Sequence, residues 1–116
     1  MVVKNKGKGT ELCSECKHAD SFYSRFMGLM GRKTLKPGAG LLIKPCNSIH
    51  MFFMNFSIDA VFLNRENEVV HIIEGIKPWR VSRLIKHAHS VLELPSGTAR
   101  ATRTEIGDRL EMFGDR

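Results

Sequence analysis

Residues 50–63 read HMFFMNFSIDAVFL, and the alternation of their side chains decides the fold class. Every even position from 52 to 62 is apolar, whereas positions 55, 57 and 59 are Asn, Ser and Asp. A period of two is typical of β structure, because successive side chains of a strand point to opposite faces. The segment is longer than an ordinary strand, so we expect a bend within residues 55–57.

The sequence that follows predicts further strands separated by tight turns. Residues 64–67, Asn-Arg-Glu-Asn, are typical of a hairpin turn, and Asn67 tolerates the left-handed conformation that such a turn requires. Residues 80–88 are basic and predict a short helix or a loop. The remaining strands are expected at residues 68–74, 90–94 and 109–113, with turns at residues 95–97 and 107–108.

The sequence of residues 1–43 predicts one helix and two strands. Residues 1–9 are polar and contain glycine, so we expect a flexible N-terminal segment. A strand is expected at residues 10–18 and another at residues 40–43. The apolar positions from 22 to 30 have nearly helical spacing, and Asp20 or Ser21 precedes them as a candidate N-cap.

These elements predict a single domain over residues 10–116, of the α+β class and dominated by β structure. Many short strands joined by tight turns favour a small barrel-like or curled sheet, antiparallel or mixed, of about five to seven strands. One helix is expected to pack on this sheet.

The composition excludes several classes of protein. The chain has 116 residues, of which 42% are hydrophobic and 26% charged, as in a globular domain and unlike a disordered chain. No apolar run approaches the roughly 18 residues of a membrane helix, and residues 1–11 lack the apolar stretch of a secretory signal. We therefore expect a cytoplasmic protein without a membrane partner. Three cysteines, an odd number, argue against a disulfide framework.

Six short motifs follow one another along residues 11–113. They are RFMGLMGR at 25–32, PCNSIH at 45–50 with FM at 53–54, IDAVFL at 58–63, PWR at 78–80, LELPSG at 92–97 and GDRL at 107–110. In this order they resemble domain-of-unknown-function family 192, also called uncharacterised protein family 0127. The resemblance implies a compact β-rich fold and implies no known reaction.

Three charged residues, Arg25, Asp59 and Glu93, lie among apolar neighbours. An isolated buried charge is very costly. We therefore expect Arg25, on the predicted helix, to form a structural ion pair with Asp59 or Glu93 and so to hold the helix on the sheet. The alternative is a paired-carboxylate site for acid–base catalysis, although no glycosidase or protease signature accompanies it.

Cys13, Cys16, Cys46 and His50 form a valid ligand set for tetrahedral zinc. The alternative for the cysteines is free thiols, at least one of them buried. An enzyme is a further alternative, with Cys46 as nucleophile and His50 as base, or with the carboxylates of Asp59 or Glu93. No other cofactor is evident in the sequence.

The first hypothesis for function is a small non-catalytic module that binds a small ligand or a protein partner. Its candidate ligand-binding residues are Cys46, His50, Asp59 and Trp79, near one rim of the sheet. Trp79 follows Pro78 at a strand end, where we expect it to cover the core. Stacking of Trp79 on a base or a sugar is the alternative.

Basic residues dominate the stretch from 77 to 103, where Glu93 is the only acid. Such asymmetry makes polyanion binding, for example to nucleic acid, a further hypothesis. We favour ordinary solvated side chains, because no stacking-aromatic motif accompanies the charge. The basic residues are Lys77, Arg80, Arg83, Lys86, Arg100 and Arg103.

Overall fold

The structure is a computed structural model and describes residues 1–19, 35–51 and 55–114. These residues form eight strands in two sheets and one helical turn. In chain order the described elements are β1 (Val2–Asn5), β2 (Thr10–Cys13), β3 (Glu15–Ala19), β4 (Ala39–Ile43), β5 (Ile58–Leu63), β6 (Val69–Ile76), β7 (Ser90–Pro95), α1 (Thr98–Ala101) and β8 (Leu110–Phe113).

A five-stranded mixed sheet forms the larger part of the described fold. Its order is β3-β4-β7-β5-β6, in which β3 and β4 are parallel and the other neighbours are antiparallel. All six residues of β5 are buried, although Asp59 is among them. A strand that is covered on both faces is apolar at nearly every position. This explains why apolar and polar residues do not alternate strictly along β5.

Two apolar cores lie on opposite faces of this sheet. Alternate residues of β5 divide between them, since Ala60 and Phe62 enter one core and Val61 and Leu63 enter the other. We call these the Phe62 core and the Leu92 core. The Phe62 core also contains Leu41, Ile43, Met51, Ile76, Ile85 and Val91, and the Leu92 core also contains Val3, Leu12, Cys13, Cys16, Leu42, Leu92, Leu94 and Leu110.

A three-stranded antiparallel sheet, in the order β2-β1-β8, packs on the Leu92 core. In its central strand, β1, Val3 is fully buried and Asn5 Nδ2 donates to Asp108 Oδ2 at 2.9 Å. This differs from our prediction of a flexible segment over residues 1–9. β1 has only four residues, too few to show a period, and it pairs with both β2 and β8. The pairing with β8, from the far end of the chain, leaves no local pattern in the sequence.

The strand predictions for the larger sheet are confirmed in most places. β4 and β7 cover the predicted segments, and β6 begins one residue later than predicted. Residues 55–57 belong to no strand, where we predicted a bend. Asn67 has a φ of 62°, the left-handed conformation expected of the turn. The predicted strand at 10–18 divides at Ser14, because β2 and β3 belong to different sheets.

The β-dominated α+β class is confirmed, and the described sheets are not closed into a barrel. The eight described strands exceed the predicted five to seven, since β1 was not predicted and residues 10–18 form two strands. The helix predicted near residues 22–30 lies outside the described residues. The described part of the chain contains no helix with the length and apolar character of a membrane span.

Candidate functional site

The two predicted acidic residues lie on opposite faces of the five-stranded sheet. In the pairing of β5 with β7, Asp59 is opposite Leu94 and Ala60 is opposite Glu93. Successive residues of a strand alternate between faces, so Asp59 points toward the Leu92 core and Glu93 toward the Phe62 core. The structure therefore does not bring them together as a paired-carboxylate site.

Asp59 is fully buried, and its carboxylate accepts hydrogen bonds from three backbone N–H groups. Gly75 donates to Oδ1 at 2.8 Å, whereas Gly97 and Ala99 donate to Oδ2 at 3.1 and 2.9 Å. These contacts tie the end of β6 and the start of α1 to β5. A carboxylate satisfied in this way is a structural anchor, which argues against our prediction of Asp59 as a ligand-binding residue.

Glu93 is 4% exposed, and its neighbours across the sheet are Leu41 and Ala60. Burial raises the pKa of its carboxyl group to about 8, because an apolar surrounding disfavours the ionised form. In the described part of the chain, no basic side chain forms an ion pair with it. Arg25, the predicted partner, lies outside the described residues, so the ion pair stays a prediction.

The three cysteines among the predicted zinc ligands are divided between the two faces of the sheet. Cys13 and Cys16 are buried in the Leu92 core, whereas Cys46 packs against the Phe62 core. Cys46 donates its thiol hydrogen to the Ser48 carbonyl oxygen at 2.8 Å. Within residues 1–19, 35–51 and 55–114, no three His, Cys, Asp or Glu side chains are grouped as metal ligands.

Cys13 and Cys16 instead interact with each other as buried thiols. A hydrogen bond from Cys16 lowers the pKa of the Cys13 thiol, and the same bond together with burial raises the pKa of Cys16. Proton loss from this pair is therefore easier at Cys13 than at Cys16.

His89, rather than His50, shares a cleft with Cys46. The backbone N–H of Cys46 donates to the His89 carbonyl oxygen at 2.8 Å, and the cleft between them has a volume of about 280 Å³. Burial, helped by the charges of Arg65 and Lys44, lowers the pKa of the His89 imidazole. His50 forms a β-bridge with Val81. Sequence reasoning missed the link from Cys46 to His89, because it depends on how the loops before β5 and β7 meet.

Residues 77–87 form an exposed loop that we call the basic loop. Its side chains Trp79, Val81 and Leu84 are 59%, 59% and 70% exposed. Trp79 therefore does not cover the core, contrary to our prediction.

The basic loop is held in place by the segment 47–51. Trp79 N–H donates to the Met51 carbonyl oxygen, and Met51 N–H donates to that of Arg80, both at 2.7 Å. Further along, Ile85 N–H donates to the Asn47 carbonyl oxygen at 2.8 Å, and the Ile85 side chain is buried in the Phe62 core. The backbone of Trp79 has a φ of 66°, a conformation that only a well-supported segment retains for a large residue.

Four basic residues, Lys77, Arg80, Arg83 and Lys86, recur at every third position of the basic loop and are exposed. None of them forms an ion pair with a described acidic residue. The two other basic residues of the predicted 77–103 surface have partners elsewhere. Arg100 Nε lies 3.5 Å from Glu74 Oε1, and Arg103 donates to the Lys8 carbonyl oxygen at 3.2 Å. The free positive charge of the stretch is therefore concentrated in the basic loop.

Comparison with known proteins agrees with the resemblance seen in the motifs. Residues 1–112 match the DUF192 family profile, described as "Uncharacterized ACR, COG1430". The chain belongs to this family. UPF0127 protein PF1050 of Pyrococcus furiosus is 40% identical over 113 residues, which cover 92% of this chain and 94% of the relative.

Two solved structures share the fold. A protein of unknown function from Novosphingobium aromaticivorans superposes with a TM-score of 0.84 at 20% identity, over 97% of this chain and 84% of that one. A protein from Sinorhizobium meliloti, described as a proposed transcription regulator, has a TM-score of 0.70 at 28% identity, over 83% of this chain and 79% of that one. The first of these likenesses concerns the fold alone.

Proposed function

We propose that this protein is a non-catalytic binding module and that the basic loop is its surface for a polyanionic partner. The observation that carries the proposal is the run of four exposed basic residues with no acidic residue between positions 75 and 92. Like charges that are crowded in this way repel one another, and a polyanion relieves that repulsion while it gains several contacts at once.

The geometry of the other candidate residues favours binding over catalysis. Asp59 and Glu93 face different cores, and the Asp59 carboxylate is occupied by three backbone donors. The Cys46 thiol donates to a backbone carbonyl oxygen, so its hydrogen is directed away from an imidazole base. The description of the Sinorhizobium meliloti protein as a proposed transcription regulator adds support for a polyanionic partner.

The test is binding of inorganic polyphosphate, a polyanion without bases, at increasing salt concentrations. Affinity is expected to fall steeply with salt, because each neutralised phosphate releases a counterion. The Lys77→Gln/Lys86→Gln variant should bind several-fold more weakly and with a shallower dependence on salt.

A matched control separates the loop from net charge. Lys17→Gln/Lys36→Gln removes two exposed lysines outside the basic loop, so each double variant removes two positive charges from the net charge of +6. Equal weakening in the two variants would mean that general charge, and not the basic loop, attracts the polyanion. The absence of any binding by the wild-type protein would overturn the proposal.

The cleft between Cys46 and His89 favours a second candidate function, the binding of a small ligand. A half-buried thiol and an imidazole whose pKa is lowered offer soft, neutral polar atoms at neutral pH. Native mass spectrometry is expected to show an added mass on the wild-type protein that is absent from the His89→Ala variant. The mass of the bare chain in both spectra would count against this candidate.

A further inference from the structure

The basic loop combines its positive charge with an exposed aromatic ring. Trp79 lies between Lys77 and Arg80 in the chain and exposes 59% of its surface. Burial of a tryptophan is strongly favourable, so a Trp79 that exposes more than half of its surface, on a backbone with a φ of 66°, points to a role in binding.

We infer that the basic loop binds single-stranded nucleic acid, with Trp79 as the platform on which an unpaired base stacks. This inference rests on the proposed function, and it names the class of polyanion that the basic loop accepts. Stacking on an aromatic ring combined with contacts from basic residues to the phosphates is the general way in which proteins hold single strands. Arg80 and Arg83 suit the phosphates, because a guanidinium group can donate two parallel hydrogen bonds.

The position of Trp79 is fixed before any ligand arrives. Hydrogen bonds at 2.7 Å join Met51 to Trp79 and to Arg80, and the isolated bridge between His50 and Val81 continues the same pairing. A platform that is already ordered loses little conformational entropy on binding. A base can therefore stack on the Trp79 ring without a prior rearrangement of the basic loop.

A single strand fits the basic loop better than a duplex does. In a duplex the bases are stacked on one another, and proteins read them from the grooves, mostly with a helix or a β-ribbon that carries several side chains. The basic loop presents the separate exposed rings of Trp79 and His87 and contains no described helix. The faces of the bases are open in a single strand, where one ring can contact them.

An anionic lipid surface shares part of this chemistry, since Val81 and Leu84 are exposed beside the basic residues. Lipid vesicles are therefore included in the test as a competing partner. The four positive charges are spread along the loop at every third residue, which matches a chain of phosphates.

The experiment uses the full chain, whose only tryptophan is Trp79, so its intrinsic fluorescence reports on the basic loop alone. The probes are a single-stranded RNA of mixed sequence, the corresponding duplex, inorganic polyphosphate and phosphatidylserine vesicles. We expect the single strand to quench the fluorescence and to bind about tenfold more tightly than the duplex or polyphosphate.

Variants at position 79 are measured with a labelled single strand by fluorescence anisotropy. Trp79→Ala should weaken binding by about tenfold or more, the scale of one lost base–aromatic stack. Trp79→Phe should retain most of the affinity, since it keeps an aromatic face. Polyphosphate carries no bases, so its affinity should be the same for all three proteins.

The possible outcomes separate this inference from the proposed function. Equal affinity for polyphosphate and the single strand, with no effect of Trp79→Ala, would overturn base stacking and leave polyanion binding intact. Tight binding to vesicles with none to RNA would overturn the inference in favour of a lipid partner. Failure to bind any of the four probes would overturn both.

Discussion

At the scale of single residues, Glu93 has an environment far from that of an ordinary glutamate. Burial in the Phe62 core raises the pKa of its carboxyl group from 4.5 to about 8. The folded protein therefore holds this proton more tightly than the unfolded chain does. The resulting contribution to stability is fully present below about pH 4.5 and is lost as the pH rises through about 8.

The Glu93→Gln variant isolates this effect, because glutamine has a similar shape and does not titrate. Between about pH 5 and pH 8, we expect the free energy of unfolding of the wild-type protein to fall relative to that of the variant, by at most about 1.4 kcal/mol per pH unit. Urea unfolding across this range measures the difference. A difference between the two proteins that stays constant across this range would show that Glu93 is already ionised in the folded protein, as the predicted ion pair with Arg25 requires.

Asp59 gives a second prediction at this scale. The Asp59→Ala substitution leaves the N–H groups of Gly75, Gly97 and Ala99 without their acceptor. We expect it to lower the free energy of unfolding by about 3–5 kcal/mol, measured by chemical denaturation. Glu66→Ala, at an exposed position of the hairpin turn, should change it by less than about 0.5 kcal/mol. Similar denaturation midpoints for the two variants would contradict the anchoring role of Asp59.

At the scale of elements, β1 is the strand that joins distant parts of the chain, since it pairs with both β2 and β8. Val3 is fully buried there, so Val3→Ala should cost about 2 kcal/mol of stability. Val81→Ala makes the same chemical change at a side chain that is 59% exposed and should cost less than about 0.5 kcal/mol. Thermal unfolding followed by circular dichroism compares them. Equal melting temperatures would favour the flexible segment that we predicted from the sequence.

Elements with a strong local pattern could be predicted from the sequence. The apolar positions of residues 58–63 predict β5, and Asn67 marks the hairpin turn by its tolerance of positive φ. β1 could not be predicted from its own four residues, because so short a segment shows no period and one of its two partners, β8, lies about 100 residues away. The exposure of Trp79 could not be predicted either, since an aromatic residue at a strand end usually packs on the core.

At the scale of the whole molecule, the sheet order decides which candidate residues can meet. Cys13 is spaced from Cys16, and Cys46 from His50, as metal ligands often are, yet Cys13 and Cys46 belong to different cores. Sequence reasoning could name these side chains but not their faces, because the face of each strand depends on pairings between distant segments. The excess of basic residues after Ile76 was visible in the sequence, and the fold determines that it is concentrated in the basic loop.

The most direct test of this account is collisional quenching of Trp79 fluorescence in the protein without ligand. Trp79 is the only tryptophan, is 59% exposed and lies among four exposed basic residues. The account predicts red-shifted emission and stronger quenching by iodide than by caesium, because the basic loop attracts anions and repels cations; added salt should reduce the difference. Blue-shifted emission with weak quenching by both ions would show a buried Trp79 and would contradict the basic loop as a binding surface.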